Sequence, residues 1–306
     1  MATVLGSVLG AIGATPVVDL RRFHPGAGRI LAKLDYLNPG GSKKDRIALR
    51  MIQDAVDGGD LRPGQTVVEL TSGNTGTGLA IVCAVLGYPF VAVMSRGNSA
   101  ERATMMRALG AEVVLVDQQP GSESGHVSGD DLALVEEAAQ AVTAERDAFR
   151  ADQFHLEGNT RAHEDGTGQE LWEQSGGAID AFCEFVGTGG TLAGVARALK
   201  AHAPDIACYA VEPSVPEHRI QGGGYSLASL PLLDAALVNG RITVTDDEAI
   251  DAARRLARTE GIFAGFSAGA NVAAAERLLD GPHRGETVAV VLADSGLKYL
   301  STDLWA

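Results

Sequence analysis

Apolar residues along the chain gather in short uninterrupted runs, each followed by a stretch in which apolar positions recur every three or four residues. RILAKLDY is followed by KDRIALRMIQDAVDGG, TVVELTS by GNTGTGLAIVCAVLG, PFVAVMS by SAERATMMRALG, and EVVLV by a long acidic helical pattern. After Gln119 to Asp131, whose text QPGSESGHVSGDD predicts a mobile, exposed loop, the rhythm resumes in AIDAFCEFVGTGGTLAGVARALKAHA, IACYAVEP, the helix around DDEAIDAARRLARTEG, and TVAVVLA. Strands alternating with helices predict an α/β fold of mostly parallel sheets covered by helices. Strands that are apolar throughout predict sheets buried on both faces. The layout suits two α/β lobes with a cleft at the carboxyl ends of the strands. No internal repeat, heptad register or low-complexity tail is present.

Composition narrows the function. The 306 residues, 45% hydrophobic and 21% charged, suffice for a substantial core and exclude a disordered or fibrous chain. A formal charge of −14 opposes nucleic acid and anionic membrane surfaces as partners, although a small anion can still be held by a local field. The 38 glycines point to tight strand-to-helix turns and to backbone that approaches a ligand. Cys83, Cys183 and Cys208 lie in apolar stretches without CxxC spacing, so they read as buried free thiols in a reducing compartment. The first residues lack the basic start of a secretory signal. The longest apolar stretch, Gly78 to Met94, is broken by Gly87 and Pro89 and reads as a helix and a strand, with no membrane span. A cytoplasmic protein is expected, and no metal site.

Four segments can carry chemistry. NPGGSKKDR, Asn38 to Arg46, follows a strand and opens a helix, where a lysine can reach a ligand; adjacent lysines there are also common as solvated surface charges. TSGNTG, Thr71 to Gly76, directs backbone N–H groups and short hydroxyls at one point and suits a carboxylate, or simply caps the next helix. GTGGT, Gly187 to Thr191, lies between a strand and a helix and reads as an anion nest with two hydroxyls, a phosphate cup. It is neither a GxxxxGK(S/T) loop nor GxGxxG. GFSAGA, Gly265 to Ala270, precedes the helical run NVAAAERLL, where a serine serves as an N-cap or as a ligand contact.

Together, in this order and spacing, these segments resemble the fold-type II pyridoxal-phosphate enzymes of the cysteine synthase and cystathionine β-synthase family. RALGAEVVLV, GTGQELW, EGIFAGFS and the terminal DSGLKYLST extend the resemblance over essentially the whole chain. The resemblance implies pyridoxal 5′-phosphate as cofactor, with Lys44 as the catalytic lysine in imine linkage to it. Gly187, Thr188, Gly189, Gly190 and Thr191 are implied to hold its phosphate, Asn74 its phenolic oxygen and Ser267 its pyridine nitrogen. A hydroxyl at that nitrogen stabilises a pyridinium only weakly, which favours β-elimination over routes through long-lived carbanions. Thr71, Ser72, Gly73, Thr75 and Gln153 are implied to bind the substrate carboxylate. The smaller lobe is expected at residues 44–150 and the larger, with the phosphate cup, at 1–43 plus 151–306. The implied reaction is β-replacement on O-acetylserine or O-phosphoserine through an aminoacrylate, giving cysteine or another β-substituted alanine, in a homodimer.

The sequence departs from that family at several places. Lys43 fills a position usually apolar, and Glu184 and Phe185 replace small residues before the cup. In QFHLEGNTRAH, Gln153 to His163, only Asn159 and His163 keep their places after the QF pair; Ser95 replaces a proline and Ile220 to Tyr225 reads IQGGGY. If Glu157 or Arg161 is buried, a charged or larger nucleophile than sulfide is expected, because an unpaired buried charge costs several kcal/mol. Arg219 and Arg96 are the candidates for binding a phosphoserine donor, with Gln221 in a context typical of acetylserine users. Three alternatives stand beside this reading: a serine or threonine dehydratase, disfavoured by Thr75; a synthase with a specialised nucleophile; and a catalytically silent paralogue, disfavoured by Lys44. Haem and regulatory domains are not expected.

Overall fold

The computed structural model describes residues 4–71, 73–98, 100–120, 129–224 and 230–306. The centre of the expected mobile loop, residues 121–128, lies outside the described residues. Two sheets organise the chain. The first has six strands in the order β1 (Val17–Asp19), β2 (Arg29–Lys33), β10 (Thr287–Val291), β7 (Ala181–Phe185), β8 (Ala207–Pro213) and β9 (Gly240–Val244). Every neighbouring pair is parallel except β1 with β2. The second is fully parallel, in the order β5 (Glu112–Val116), β4 (Phe90–Ser95), β3 (Val67–Leu70) and β6 (Phe149–Arg150).

Burial follows strand position. The inner strands β4, β7 and β10 are buried at every residue, whereas edge strand β9 alternates with solvent. The short β1 and β6 carry too few residues to register as apolar runs.

The helices are α1 (Lys44–Gly58), α2 (Asn74–Leu86), α3 (Ala100–Ala108), α4 (Gly129–Glu145), α5 (Gly158–Ala162), α6 (Gln169–Ser175), α7 (Gly190–His202), α8 (Asp246–Glu260) and α9 (Phe266–Asp280). A π-helical turn, His163–Gly168, joins α5 to α6. Helix α8 begins with a capping box between Thr245 and Glu248, and Gly59, Gly87 and Gly261 end α1, α2 and α8 in the left-handed conformation that glycine adopts without steric cost.

Ala48, Ile52 and Ala55 of α1 bury against Leu79, Val82 and Cys83 of α2 in the core beside the four-stranded sheet. On its other side α1 is tied to the six-stranded sheet by a buried ionic network. Arg46 donates to both carboxylate oxygens of Asp35 at 2.9 Å and to those of Glu170 at 2.7 and 2.8 Å. Lys33 on β2 meets Glu170 at 2.7 Å. Each buried charge has an opposite partner, which is the condition for burying it at all.

Candidate active site

The chemistry-bearing turns leave the carboxyl ends of parallel strands: Thr71 follows β3, Gly187 follows β7, and Asp294 lies just beyond β10. Lys43 is hydrogen-bonded to the end of β10 through its N–H and the carbonyl of Ala293, 2.7 Å, and Ser42 forms a bridge with Asp294. Gly265 donates to the carbonyl of Asp294 at 3.0 Å, which brings the start of α9 to the same strand end. In all three motifs the helix starts earlier than the apolar periodicity suggests. Helix α2 begins at Asn74, α7 at Gly190 and α9 at Phe266, so the motif residues form the first helical turns. First-turn N–H groups have no intrahelical acceptor and carry the positive end of the helix dipole.

Neither lysine of the first motif is a solvated surface charge. Lys43 is buried, its ammonium paired with the Glu184 carboxylate on β7. Lys44 is partly covered and lines a pocket with Lys43, Glu184 and the Gly187–Thr191 turn. Burial first, and then the Lys43 cation, bring the Lys44 amine from its usual 10.5 to about 7, against the attraction of Glu184 and Asp294. A large fraction of Lys44 is therefore uncharged at neutral pH, the state in which an amine is a nucleophile or a base.

The Gly187–Thr191 turn forms a cup whose shape depends on missing side chains. Gly189 has φ +87°, and a Cβ on Gly190 would lie 2.2 Å from Asn159 Oδ1. Asn159 spans the space behind the cup, donating to the Gln153 carbonyl at 2.7 Å and to Thr188 Oγ1 at 2.8 Å. Because Thr188 accepts that bond, its own hydroxyl proton remains for an anion. Thr191 Oγ1 lies 3.1 Å from His163 Nε2, and His163 Nδ1 lies 2.8 Å from Thr167 Oγ1. Burial, followed by the nearby Lys43, Arg46 and Lys44 cations, holds His163 neutral, with its pKa well below the usual imidazole value. With its proton on Nε2, the ring donates to Thr191 and frees that hydroxyl as well. Glycine N–H groups, two hydroxyl donors and a helix N-terminus match the needs of a phosphate monoester, and Lys44 stands on the same pocket to engage an aldehyde. The residues present fit pyridoxal phosphate.

The TSGNTG turn both caps its helix and retains donors. Thr71 Oγ1 accepts from the N–H groups of Gly73 at 3.2 Å and Gly76 at 2.8 Å, leaving the Thr71 hydroxyl proton. Thr75 donates to Gln153 Oε1 at 2.7 Å, and Gln153 Nε2 donates to Glu69 at 3.1 Å. Burial lifts Glu69 to about 8 despite the Arg150 guanidinium beside it. The Thr71 hydroxyl, the second N–H of Gln153 and the N–H of Thr75 can converge on a carboxylate. Gln153 thus belongs to both the turn and, through Asn159, the cup. Ser72 lies outside the described residues.

Asn74 is held at both ends of its amide, donating to Asp294 Oδ2 at 2.6 Å and accepting from Lys298 at 2.6 Å. Ser267 is half-buried in the first turn of α9; the N-cap is Gly265, so capping does not account for this serine. Gly265 is required there, since a Cβ would lie 2.3 Å from Asp294 Oδ1.

Other expectations need correction. Glu157 and Arg161 are exposed and ion-paired, with Arg197 at 3.4 Å and Asp54 at 2.9 Å. Neither is a buried charge seeking a ligand. Arg219 is engaged on the surface by Asp246, Asp247 and Asp303, and Arg96 by Asp117. The guanidinium that does reach the cleft region is Arg102 of α3, packed against Gly73 and bonded to Gln221. Tyr225 lies outside the described residues. The structure adds Asn159, His163, Asp294 and Arg102 to the site, and of these only Asn159 and His163 carry a sequence signal, their retained spacing after the QF pair. Cys83, Cys183 and Cys208 are buried free thiols, as expected. Among the described residues no helix is long and apolar enough to cross a membrane.

Comparison with known proteins agrees with this geometry. The family described as Pyridoxal-phosphate dependent enzyme matches residues 8–294. A cysteine synthase of Staphylococcus aureus (strain N315) is 42% identical, covering 96% of this chain and 95% of that protein. O-ureido-L-serine synthase of Streptomyces lavendulae is 39% identical over 99% and 93% of the two chains. A crystal structure of O-ureido-L-serine synthase superposes with a TM-score of 0.90 at 38% identity, covering 99% of this chain and 96% of that one. With the family pattern covering nearly the whole chain, and a buried amine beside a glycine-rich cup that Gln153 and Asn159 link to the TSGNTG turn, the chain belongs to the pyridoxal-phosphate dependent enzymes.

Proposed function

We propose that the protein replaces the activated oxygen at the β-carbon of an O-substituted L-serine with a nucleophile, giving cysteine or a related β-substituted alanine. The observation that carries this reading is the buried chain of hydrogen bonds Thr75–Gln153–Asn159–Thr188, which links the TSGNTG turn to the glycine-rich cup, whose Thr188 lines the same pocket as Lys44. It orients an amino acid by its carboxylate relative to a cofactor anchored by its phosphate.

Pyridoxal phosphate, when bound, supplies a conjugated ring that withdraws electrons from the substrate α-carbon. Lys44 would hold the cofactor, and its neutral amine is placed to take the α-proton at Nζ and to return one. Gly187, Thr188, Gly189, Gly190 and Thr191 would hold the phosphate, Asn74 the phenolic oxygen and Ser267 the ring nitrogen. Thr71, Ser72, Gly73, Thr75 and Gln153 bind the substrate carboxylate and draw the lobe formed by 44–150 toward that formed by 1–43 plus 151–306. The protein works as a cytoplasmic homodimer.

The donor in this reading is O-acetylserine, since Arg219 and Arg96 are occupied by surface carboxylates and Arg102, which reaches the cleft region, is bonded to Gln221. The similarity to both a cysteine synthase and an O-ureido-L-serine synthase supports sulfide and a ureido-type nucleophile as the two classes to compare. Rapid-mixing absorbance with O-acetylserine, O-phosphoserine and serine separately tests the donor. O-acetylserine alone should produce a new visible band that persists until a nucleophile is added. Rapid release of pyruvate from serine without a nucleophile would favour the dehydratase reading instead.

A further inference from the structure

The two departures Lys43 and Glu184 stand 141 residues apart, yet they form one buried ion pair on the wall of the pocket that contains Lys44. The pair is built into the fold. Glu184 is 1% exposed on the central strand β7, and its second oxygen accepts from Asn271 Nδ2 of α9 at 2.9 Å. The same Asn271 side chain accepts from the N–H of Phe185 and donates to the carbonyl of Val291, so three elements fix the carboxylate. A buried pair of this kind adds little net stability over well-packed apolar side chains, which leaves its field at the neighbouring amine as its distinctive effect.

We propose that Lys43 and Glu184 are positioning residues that set the protonation of Lys44, the cation opposing and the carboxylate favouring a charge on that amine. This inference rests on the proposed role of Lys44 in carrying the cofactor. The two influences have opposite sign and oppose each other while both partners are present, the cation being the larger of the two. The other groups acting at the site are Asp294 beyond β10, which favours a charged Lys44, and Arg46 on α1, which with Lys43 and Lys44 keeps His163 of the π turn neutral. Cys183 also adjoins Glu184, but burial and the carboxylate together keep its thiol protonated.

The test uses the full-length chain freed of cofactor. The rate at which added pyridoxal phosphate develops its visible band is followed from about pH 5 to about pH 10 for the parent, Lys43→Met, Glu184→Gln and the double variant. Only uncharged Lys44 captures the aldehyde, and the cofactor's own titration is common to all four proteins. The midpoint should rise in Lys43→Met and fall in Glu184→Gln, each by about one pH unit, and return close to the parent in the double variant. Equal midpoints in all four, or shifts of both single variants in one direction, would overturn the proposal. Thermal melts alone cannot mimic the expected pattern, since a purely structural pair loses stability without moving a midpoint. Failure of the parent to develop a band at any pH would instead refute the cofactor reading.

Discussion

Replacing Gly190 with alanine probes how the cup is built. The φ of Gly190 is not in the left-handed region, so alanine meets no backbone penalty there and gains about 0.4–1 kcal/mol from a less flexible unfolded chain. The cost comes from Asn159. The new methyl would lie 2.2 Å from Oδ1, 2.5 Å from Cγ and 2.9 Å from Nδ2 of that side chain, which is 1% exposed. Asn159 must swing away, breaking its bonds to Gln153 and Thr188 and leaving buried polar groups unsatisfied. Each such loss costs about 1–3 kcal/mol, so the net expectation is a loss of about 2–3 kcal/mol. In an Asn159→Ala background the obstructing atoms are gone, and the same substitution should cost less than about 1 kcal/mol. Urea midpoints of the four proteins close the double-mutant cycle, with an expected coupling above about 1.5 kcal/mol. Gly190→Ala alone should also weaken pyridoxal phosphate binding. Equal cost of Gly190→Ala in both backgrounds would show that Asn159 does not set the geometry of the cup.

Borohydride reduction of the cofactor-loaded protein followed by peptide mapping should tag Lys44 and not Lys43, and Lys44→Ala should lose the label; a tag on Lys43 would refute the assignment. Burial opposes the charge on Glu170, but the Arg46 hydrogen bonds and charge, with those of Lys33, outweigh it and hold the carboxyl at about 2. Because the folded value lies below the unfolded one, the resulting stability is present above about pH 4.5 and is lost as pH falls toward 2, on the order of 3 kcal/mol in all. Glu170→Gln should therefore flatten that part of the stability–pH curve, as acid titration followed by circular dichroism would reveal. Gln153→Ala removes the amide that meets Thr75 and Glu69 but keeps the backbone carbonyl that receives Asn159, so it should raise KM for the donor amino acid by about tenfold while leaving the cofactor band; unchanged KM would remove Gln153 from the site. Light scattering should give twice the chain mass at working concentration, and a monomer would exclude the dimer.

Properties that depend on neighbours along the chain are legible without the fold. Apolar runs such as FVAVM and AFCEF could only be strands buried on both faces, and they are β4 and β7. Glycine and hydroxyl residues at the ends of those runs could only make strand-to-helix turns, because φ, capping and first-turn N–H groups are local properties. The order of those turns was enough to indicate the family. The short strands β1 and β6 escaped because so few residues carry no period, and the helix starts were displaced because glycine-rich first turns show no apolar pattern.

Which side chains meet depends on packing between distant segments. Lys43 and Glu184 read separately as two oddities and become one ion pair because β7 lies beside β10, whose end holds the Lys43 backbone. Asn159 reaches Thr188, and Gln153 reaches Thr75, through packing that no local spacing encodes. The same limit left Glu157 and Arg161 open: their position near the cleft segment was legible, but whether a side chain faces protein or water depends on what packs against it. Here Arg197 and Asp54 meet them at the surface. The amine of Lys44 illustrates both halves. Its place at the start of a helix follows from the chain, whereas its pKa of about 7 follows from burial and from a second lysine held in place by a carboxylate on another strand.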